Sequence, residues 1–412
     1  MSDVRTAGRE GLEIADFPSS PHNSDFPASP SSGFADFGGP DISFAGTASV
    51  AARGKGGGKL KAAVLGATGV VGQRFVRRLA DHPDFDLVAL AASERSVGKT
   101  YREACHWHLD GEEYAGFGDR IILACSPDAF SADIVFSALD TEPARSIEPA
   151  FAAAGAFVFS NASTFRMEED VPLLIPEVNA SHLGMLERQR AKRGWPGAII
   201  TNPNCTTVVL AGALAPLERA FGIEAVMMTS MQAISGAGYP GVSALDISGN
   251  VIPLIRGEEP KVETEACKIL GLFAGRDGSA RWQPAGFPVS ATCTRVPVSE
   301  GHTIAVSVKL RGNPGVEEVK AAIRAFVPDT AGLELHSAPQ RFVTVTDSPD
   351  RPQPRRDVEL DKGMRISIGR VRTCSILGIK FIALGHNTER GAAGASVLNA
   401  ELAYAKEVIR WA

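Results

Sequence analysis

Apolar and polar positions follow two rhythms along the chain, and the change falls near residue 203. From Lys59 onward the runs "KLKAAVL", "DLVALAA", "RIILAC", "ADIVFSAL" and "AFVFSN" are almost continuously apolar. Helical stretches lie between some of them. "QRFVRRLADHP" gathers Phe75, Val76 and Leu79 on one side and stops at Pro83, and another helix covers 144–154. Strands without polar alternation, interleaved with helices, predict a parallel sheet covered on both faces over residues 59–203. Beyond it, "EAVMMTSMQA", "PVSATCTRVPV", "HTIAVSVKL", "RFVTVT", "MRISIGRV" and "KFIALG" read as strands, many alternating with period two. Two helices stand among them, over 261–273 and 316–326, so the second part is a mixed α+β domain. Strands 288–298 and 302–310 are joined by only a few residues, which predicts an antiparallel pair. A last helix over 391–411 puts Leu398, Leu402 and Ile409 on one stripe.

The first 58 residues fit neither rhythm. They are rich in Ser, Pro, Gly, Ala and Asp, and "ADF", "SDF" and "ADF" recur at 15–17, 24–26 and 35–37. Seven acids stand against two arginines in residues 1–52. That balance is wrong for a mitochondrial transit peptide, and no apolar core marks a secretion signal. The composition predicts a disordered tail, with Phe-anchored docking motifs as the alternative, and "RGKGGGKLK" as its hinge. A net charge of −5 over 412 residues argues against nucleic acid or an acidic membrane as the main partner. No apolar run reaches the roughly 18 residues of a membrane span. The six cysteines are scattered without a CxxC pair. They predict free thiols in a reducing, cytoplasmic compartment and no metal site.

Chemistry enters first at "LGATGVVGQRF". Gly66, Gly69 and Gly72, with Thr68, Val70 and Val71 between them, sit where the first strand turns into the first helix. Glycines permit the tight turn and close backbone approach that a dinucleotide pyrophosphate needs, and the helix N-terminus faces the anion. The second strand ends in "AASERSVGK". Glu94 keeps an NAD ribose contact open, whereas Arg95 with Ser93 and Ser96 suits the 2′-phosphate of NADP better.

The second chemical signal is "TNPNCTTVVL". Leu210, Ala213, Leu214 and Leu217 recur at helical spacing, so Cys205 falls in or just before a first turn capped by Asn204. A helix dipole contributes about 0.3–1 kcal/mol there, less than one pKa unit. A reactive thiolate therefore needs a further base or cation, and a small buried residue at a helix start is the alternative reading. Of the eight histidines, His302 stands at the head of a strand just after a glycine turn, with Arg295 seven residues earlier. The short turn between them is expected to bring both to one rim.

Together these pieces resemble the aspartate-β-semialdehyde dehydrogenases, in the branch typical of archaea and fungi. The likeness covers residues 60–412, in order, through "GATGVVGQRF", "SERSVGK", "SNASTFRMEEDVPLLIPEVN", "TNPNCTT", "MQAISGAGYPGV", "GEEPKVETEACKIL", "RVPVSEGHT", "RPQPRRD" and "GHNTERGAAGAS". The resemblance implies an α/β fold: a Rossmann-type NADP-binding domain over 59–203, completed by a C-terminal helix at 386–412. It also implies a catalytic and dimerisation domain over 204–385 whose sheet pairs subunits into a homodimer or homotetramer. The implied reaction is reversible. L-Aspartate 4-semialdehyde, phosphate and NADP⁺ give 4-phospho-L-aspartate and NADPH, a step toward lysine, threonine, methionine and isoleucine.

By the same resemblance Cys205 is the nucleophile and His302 the acid/base. Gln232 orients the bound intermediate, Arg295 grips the substrate carboxylate, and Glu258 with Lys261 holds the amine and the phosphate region. Arg166 binds phosphate, Asn204 flanks the nucleophile, and Ser235, Gly236 and Asn387 touch the cofactor. Acyl-CoA reductases that make malonate or succinate semialdehyde share this fold, cysteine and histidine. The stretches "STFR", "NPNC" and "GEEPK" favour a substrate with an amine, a carboxylate and a phosphate. A non-catalytic NADP-binding scaffold working through its tail is the alternative from another class.

Overall fold

The computed structural model describes residues 58–274 and 281–409. The expected tail and its Phe motifs lie outside the described residues. Six strands form the first sheet: β1 (Leu60–Leu65), β2 (Phe85–Ala92), β3 (Leu123–Ala124), β4 (Ile134–Ser137), β5 (Phe157–Ser160) and β6 (Ala198–Thr201). Their order is β3-β2-β1-β4-β5-β6, and every pairing is parallel. Because side chains alternate along a strand, β1 sends Ala62 and Val64 into one apolar cluster and Ala63 and Leu65 into another. Helix α1 (Val70–Leu79) contributes Phe75, Val76 and Leu79 to the first cluster, and helix α2 (Thr141–Ala153) contributes Phe151 and Ala152 to the second. Both faces are covered, as the apolar runs predict. The strand order reverses between β1 and β4, which opens a crevice at their C-terminal ends.

Six strands also form the second sheet: β7 (Ile223–Gln232), β10 (Val289–Arg295), β11 (His302–Leu310), β12 (Val343–Thr346), β13 (Ile366–Cys374) and β14 (Gly378–Gly385). Between β7 and β10 the short strands β8 (Leu272–Ala274) and β9 (Arg281–Gln283) pair with each other. The large sheet is ordered β10-β7-β11-β14-β13-β12. Its inner face packs on three helices, α3 (Cys205–Phe221), α4 (Glu258–Ile269) and α5 (Val316–Ala325), through residues such as Leu214, Val262, Ile304, Val306 and Val319. Its other face carries Met227, Thr229, Ser307 and Lys380, with Met227 exposed. No helix among the described residues is long and apolar enough to cross a membrane.

Three expectations need correction. The strands 288–298 and 302–310 are not bonded to each other. β7 lies between them, parallel to β10 and antiparallel to β11. Strands lie about 4.8 Å apart, and a connection from Val296 to Gly301 can stride over one strand. The helix expected at 261–273 begins at Glu258, after Gly257 turns at φ +69°, and ends at Ile269. Pro260 is tolerated in a first turn, where its missing N–H costs no hydrogen bond. The last helix, α6 (Ala393–Ala405), stops short of 411 because the chain reverses at Glu407, φ +55°. Ile409 is still buried in the same cluster as α1, together with Val397 and Leu402 of α6.

Candidate active site

The C-terminal ends of the first sheet and one end of the second supply the site. Its glycine-rich turn begins at Gly66, with φ +72°, where a Cβ would lie 2.7 Å from the carbonyl oxygen of Ala138. At Gly72 a Cβ would lie 2.1 Å from the Gly66 oxygen, so only glycine lets α1 close on the turn. Gly69 caps α1, and the first backbone N–H bonded within the turn is that of Gln73, to the Gly69 carbonyl. The N–H groups ahead of it have no intrahelical acceptor, and a pyrophosphate fits this cradle. Thr68, in the turn, and Val70 and Val71, which open α1, are half-buried. β2 neighbours β1, so Ser93, Arg95 and Ser96 stand at the adjacent strand end. Ser93 and Arg95 are exposed, and the Ser96 N–H closes a turn onto the Ser93 carbonyl at 2.8 Å.

Cys205 follows β6 as the first residue of α3. Asn204 caps that helix, its Oδ1 accepting from the N–H groups of Thr206 at 2.8 Å and Thr207 at 3.2 Å. The sulfur lies 3.2 Å from Nε2 of His302. β11 runs antiparallel to β7, so its first residue, His302, stands beside the end of β7 at Gln232. β10 runs parallel to β7, so Arg295 is paired with Gln232 there too. Arg295 and His302 share the rim expected of them, although their strands do not pair.

Electrostatics define the resting state. Burial pushes the Cys205 thiol up to about 12 and Glu258 adds to the rise, while Arg166 and Arg295 oppose it. Burial brings His302 down to about 3, with Arg295 and His386 contributing. The resting pair is a neutral thiol and a neutral imidazole. The Ala233 backbone N–H donates to Nδ1 of His302 at 3.1 Å. A backbone N–H can only donate, so the neutral ring carries its proton on Nε2 and points it at the sulfur.

One helix, α4, ties Asn204, Gln232 and Arg166 together. Glu258 Oε1 accepts from the Asn204 amide at 2.8 Å and the Gln232 amide at 3.2 Å. Lys261, one turn on, lies 3.8 Å from the other oxygen of Glu258. Two turns on, Glu265 takes the Asn204 backbone N–H at 2.6 Å and Nη1 of Arg166 at 3.0 Å. Arg166 is buried, and its Nε has no hydrogen-bond partner among the described residues. Sequence reasoning missed Glu265, although its spacing of seven from Glu258 puts both carboxylates on one helix face. It also missed Gly391, where a Cβ would sit 2.7 Å from that of Cys205. Ser235 receives the Asn387 amide at 2.8 Å, and Asn387 in turn accepts the Gly301 N–H at 2.8 Å.

Gly236 faces this pair closely. A Cβ there would lie 2.8 Å from Nη1 of Arg295 and 3.0 Å from Cε1 of His302. The arginine is held by a hydrogen bond to the Ala233 carbonyl at 2.8 Å, so neither group can yield freely. Gly236→Ala is expected to lower kcat/KM by about 10- to 100-fold, since small misplacements in a catalytic constellation carry losses of that order. Thermal stability should fall as well, since overpacking of this kind costs about 1–3 kcal/mol. Kinetics and a melting curve on one preparation check this.

A thiol at a helix N-terminus within reach of an imidazole, in a chain that also carries a glycine-rich strand–helix turn, is the arrangement that a nicotinamide-dependent dehydrogenase working through a covalent sulfur adduct requires. The comparisons agree with this class and narrow it. Residues 61–186 match the family described as "Semialdehyde dehydrogenase, NAD binding domain", and 214–390 match "Semialdehyde dehydrogenase, dimerisation domain". The chain is 52% identical to the aspartate-semialdehyde dehydrogenase of Archaeoglobus fulgidus over 346 residues, 84% of this chain and 98% of that one. It is 46% identical to that of Cryptococcus neoformans over 360 residues, 85% and 99% of the two chains. The crystal structure of the Candida albicans enzyme with NADP superposes with a TM-score of 0.78 at 43% identity, covering 85% of this chain and all of that one. The chain belongs to the aspartate-semialdehyde dehydrogenase family.

Proposed function

We propose that this chain interconverts L-aspartate 4-semialdehyde, phosphate and NADP⁺ with 4-phospho-L-aspartate and NADPH, through a thioester on Cys205. The observation that carries the proposal is the 3.2 Å approach of the Cys205 sulfur to His302. NADP, held by Gly66, Thr68, Gly69, Val70, Val71, Gly72, Ser93, Arg95, Ser96, Ser235, Gly236 and Asn387, supplies the hydride acceptor or donor. Everything else falls to the side chains. The His302 Nε2–H steadies the Cys205 thiolate, with Arg166 and Arg295 favouring the anion. The sulfur bonds to the aldehyde carbon as the thiol proton passes to the carbonyl oxygen, and the same Nε2–H faces that oxygen while it gains charge. Release of the Ala233 N–H lets the ring hold its proton at Nδ1, so that Nε2 can take the hydroxyl proton of the adduct while the carbon's hydride would pass to the cofactor, which leaves the thioester. Gln232 orients the intermediate. Phosphate, received by Arg166 and Lys261, attacks the thioester carbon and the Cys205 thiolate leaves.

Arg295 is assigned to the substrate carboxylate, with Glu258 on the amine. A guanidinium presents paired donors in one plane, which an ammonium cannot. Arg295→Lys should therefore raise KM for aspartate semialdehyde by at least about tenfold, one charge-assisted hydrogen bond's worth. KM for NADP⁺ should stay within about twofold, and an unchanged aldehyde KM contradicts the assignment. The reading as a whole is tested by mixing the pure chain with aspartate semialdehyde, phosphate and NADP⁺ and following NADPH absorbance. Malonyl-CoA with NADPH, run in parallel, separates it from the acyl-CoA reductases.

Two copies are proposed to pair on the outer face of the second sheet, where Met227 and Ile376 are exposed. The family description of residues 214–390 as a dimerisation domain supports this assembly. A homodimer is the smallest form consistent with it, and a homotetramer is the next. A cytoplasmic setting suits six free thiols.

A further inference from the structure

One carboxylate outside the site just described joins its two halves. Glu300 precedes the Gly301–His302 turn, and its Oε1 accepts from Nη2 of Arg74, on α1, at 2.6 Å. Its Oε2 accepts from the Ser235 hydroxyl at 2.8 Å and from Thr388 at 3.4 Å. Arg74 is buried and also donates to Glu389, ahead of α6, at 2.9 Å, so its guanidinium is held in place rather than swinging in solvent. On the other side, the loop holding Ser235 is knit to the His302 turn. The Ile234 N–H reaches the Val298 carbonyl at 2.7 Å, the Ser235 N–H the Ser299 carbonyl at 3.3 Å, and the Ala233 N–H the His302 ring. A polar relay thus runs from the helix that cradles the pyrophosphate, through Arg74 and Glu300, to Ser235 and His302.

We propose that Glu300 is a positioning residue that sets the nicotinamide end of the cofactor in register with the Cys205–His302 pair. The inference rests on the cofactor reading above and deepens it. The pyrophosphate is placed by α1, whereas the hydride must reach a carbon bonded to Cys205. Reaction needs these two placements to agree to a fraction of an ångström. Arg74–Glu300 is a charge-assisted bond that ties one to the other. Loss of the carboxylate leaves the cradle intact, because Gly66, Gly69 and Gly72 do not touch it. The register between cradle and catalytic turn is what loosens.

Calorimetric titration of the full chain with NADP⁺ and with 2′-phospho-ADP-ribose, the same cofactor without its nicotinamide, reads this directly. Glu300→Gln is expected to weaken NADP⁺ by about tenfold, the share of one charge-assisted hydrogen bond, and to leave the truncated ligand within about twofold. Arg74→Met should show the same selectivity from the other end of the bond, and Glu300→Asp, which keeps the charge, should recover part of the loss. In turnover, KM for phosphate should hold while kcat falls. Equal weakening of both ligands, or of neither, overturns the inference while the cofactor reading stands. A wild-type chain that binds neither ligand overturns the reading and the inference with it.

Discussion

Cys205→Ala is expected to lower turnover by at least about 10⁴-fold, because it removes the covalent route rather than one of its supports. The substitution deletes a sulfur from the first turn of α3, while the Asn204 cap and its two hydrogen bonds remain. Folding should survive, so the loss can be read as chemistry. NADP⁺ binding should be retained, since the glycine cradle is built on β1 and α1 and does not depend on the thiol. Purified variant and parent, compared for NADPH formation and for NADP⁺ affinity, check both halves. A variant retaining a tenth of the parent's rate would mean that the sulfur is a bystander.

His302→Ala comes second, with an expected fall in kcat of about 10²- to 10⁴-fold and a measurable residue of activity. Removing the ring takes away the Nε2–H that faces the sulfur at 3.2 Å. It also leaves the buried Ala233 N–H without its acceptor, a cost of about 1–3 kcal/mol in stability. His302→Gln serves as the companion, because its side-chain oxygen can accept from a backbone donor and so lessens that cost. Both variants should lose rate together, with the alanine variant melting lower. If the glutamine variant keeps full activity, His302 holds the loop and does not take part in the reaction.

Much of this site is legible in the sequence where local rules govern. The glycine cradle needs a strand, three glycines and a helix in immediate succession, and all are adjacent in the chain. Cys205 declares itself through an Asn cap and the helical period that follows. His302 and Arg295 are only seven residues apart, so their convergence is visible even though the strand inserted between β10 and β11 is not. Chain proximity measures how far a connection can reach, and it is silent about what lies in the gap. Glu265 is a different case. Its helix-face relation to Glu258 is readable, but its grip on the Asn204 N–H at 2.6 Å depends on how α4 lies against α3. Arg74 and Glu300 stand 226 residues apart, and no periodicity joins them. For α4 the expected start at 261 gives way to Glu258, because Gly257 supplies a left-handed entry and Pro260 is tolerated in the first turn.

The central claim is that a carbon–sulfur bond forms at Cys205 during turnover. Mass spectrometry of the chain after incubation with aspartate semialdehyde and NADP⁺, phosphate withheld, tests it most directly. The account predicts one aspartyl group per chain, mapped to the peptide containing Cys205 and discharged when phosphate is added. An unmodified Cys205 after NADPH has formed, or an adduct on another residue that phosphate discharges, would contradict it.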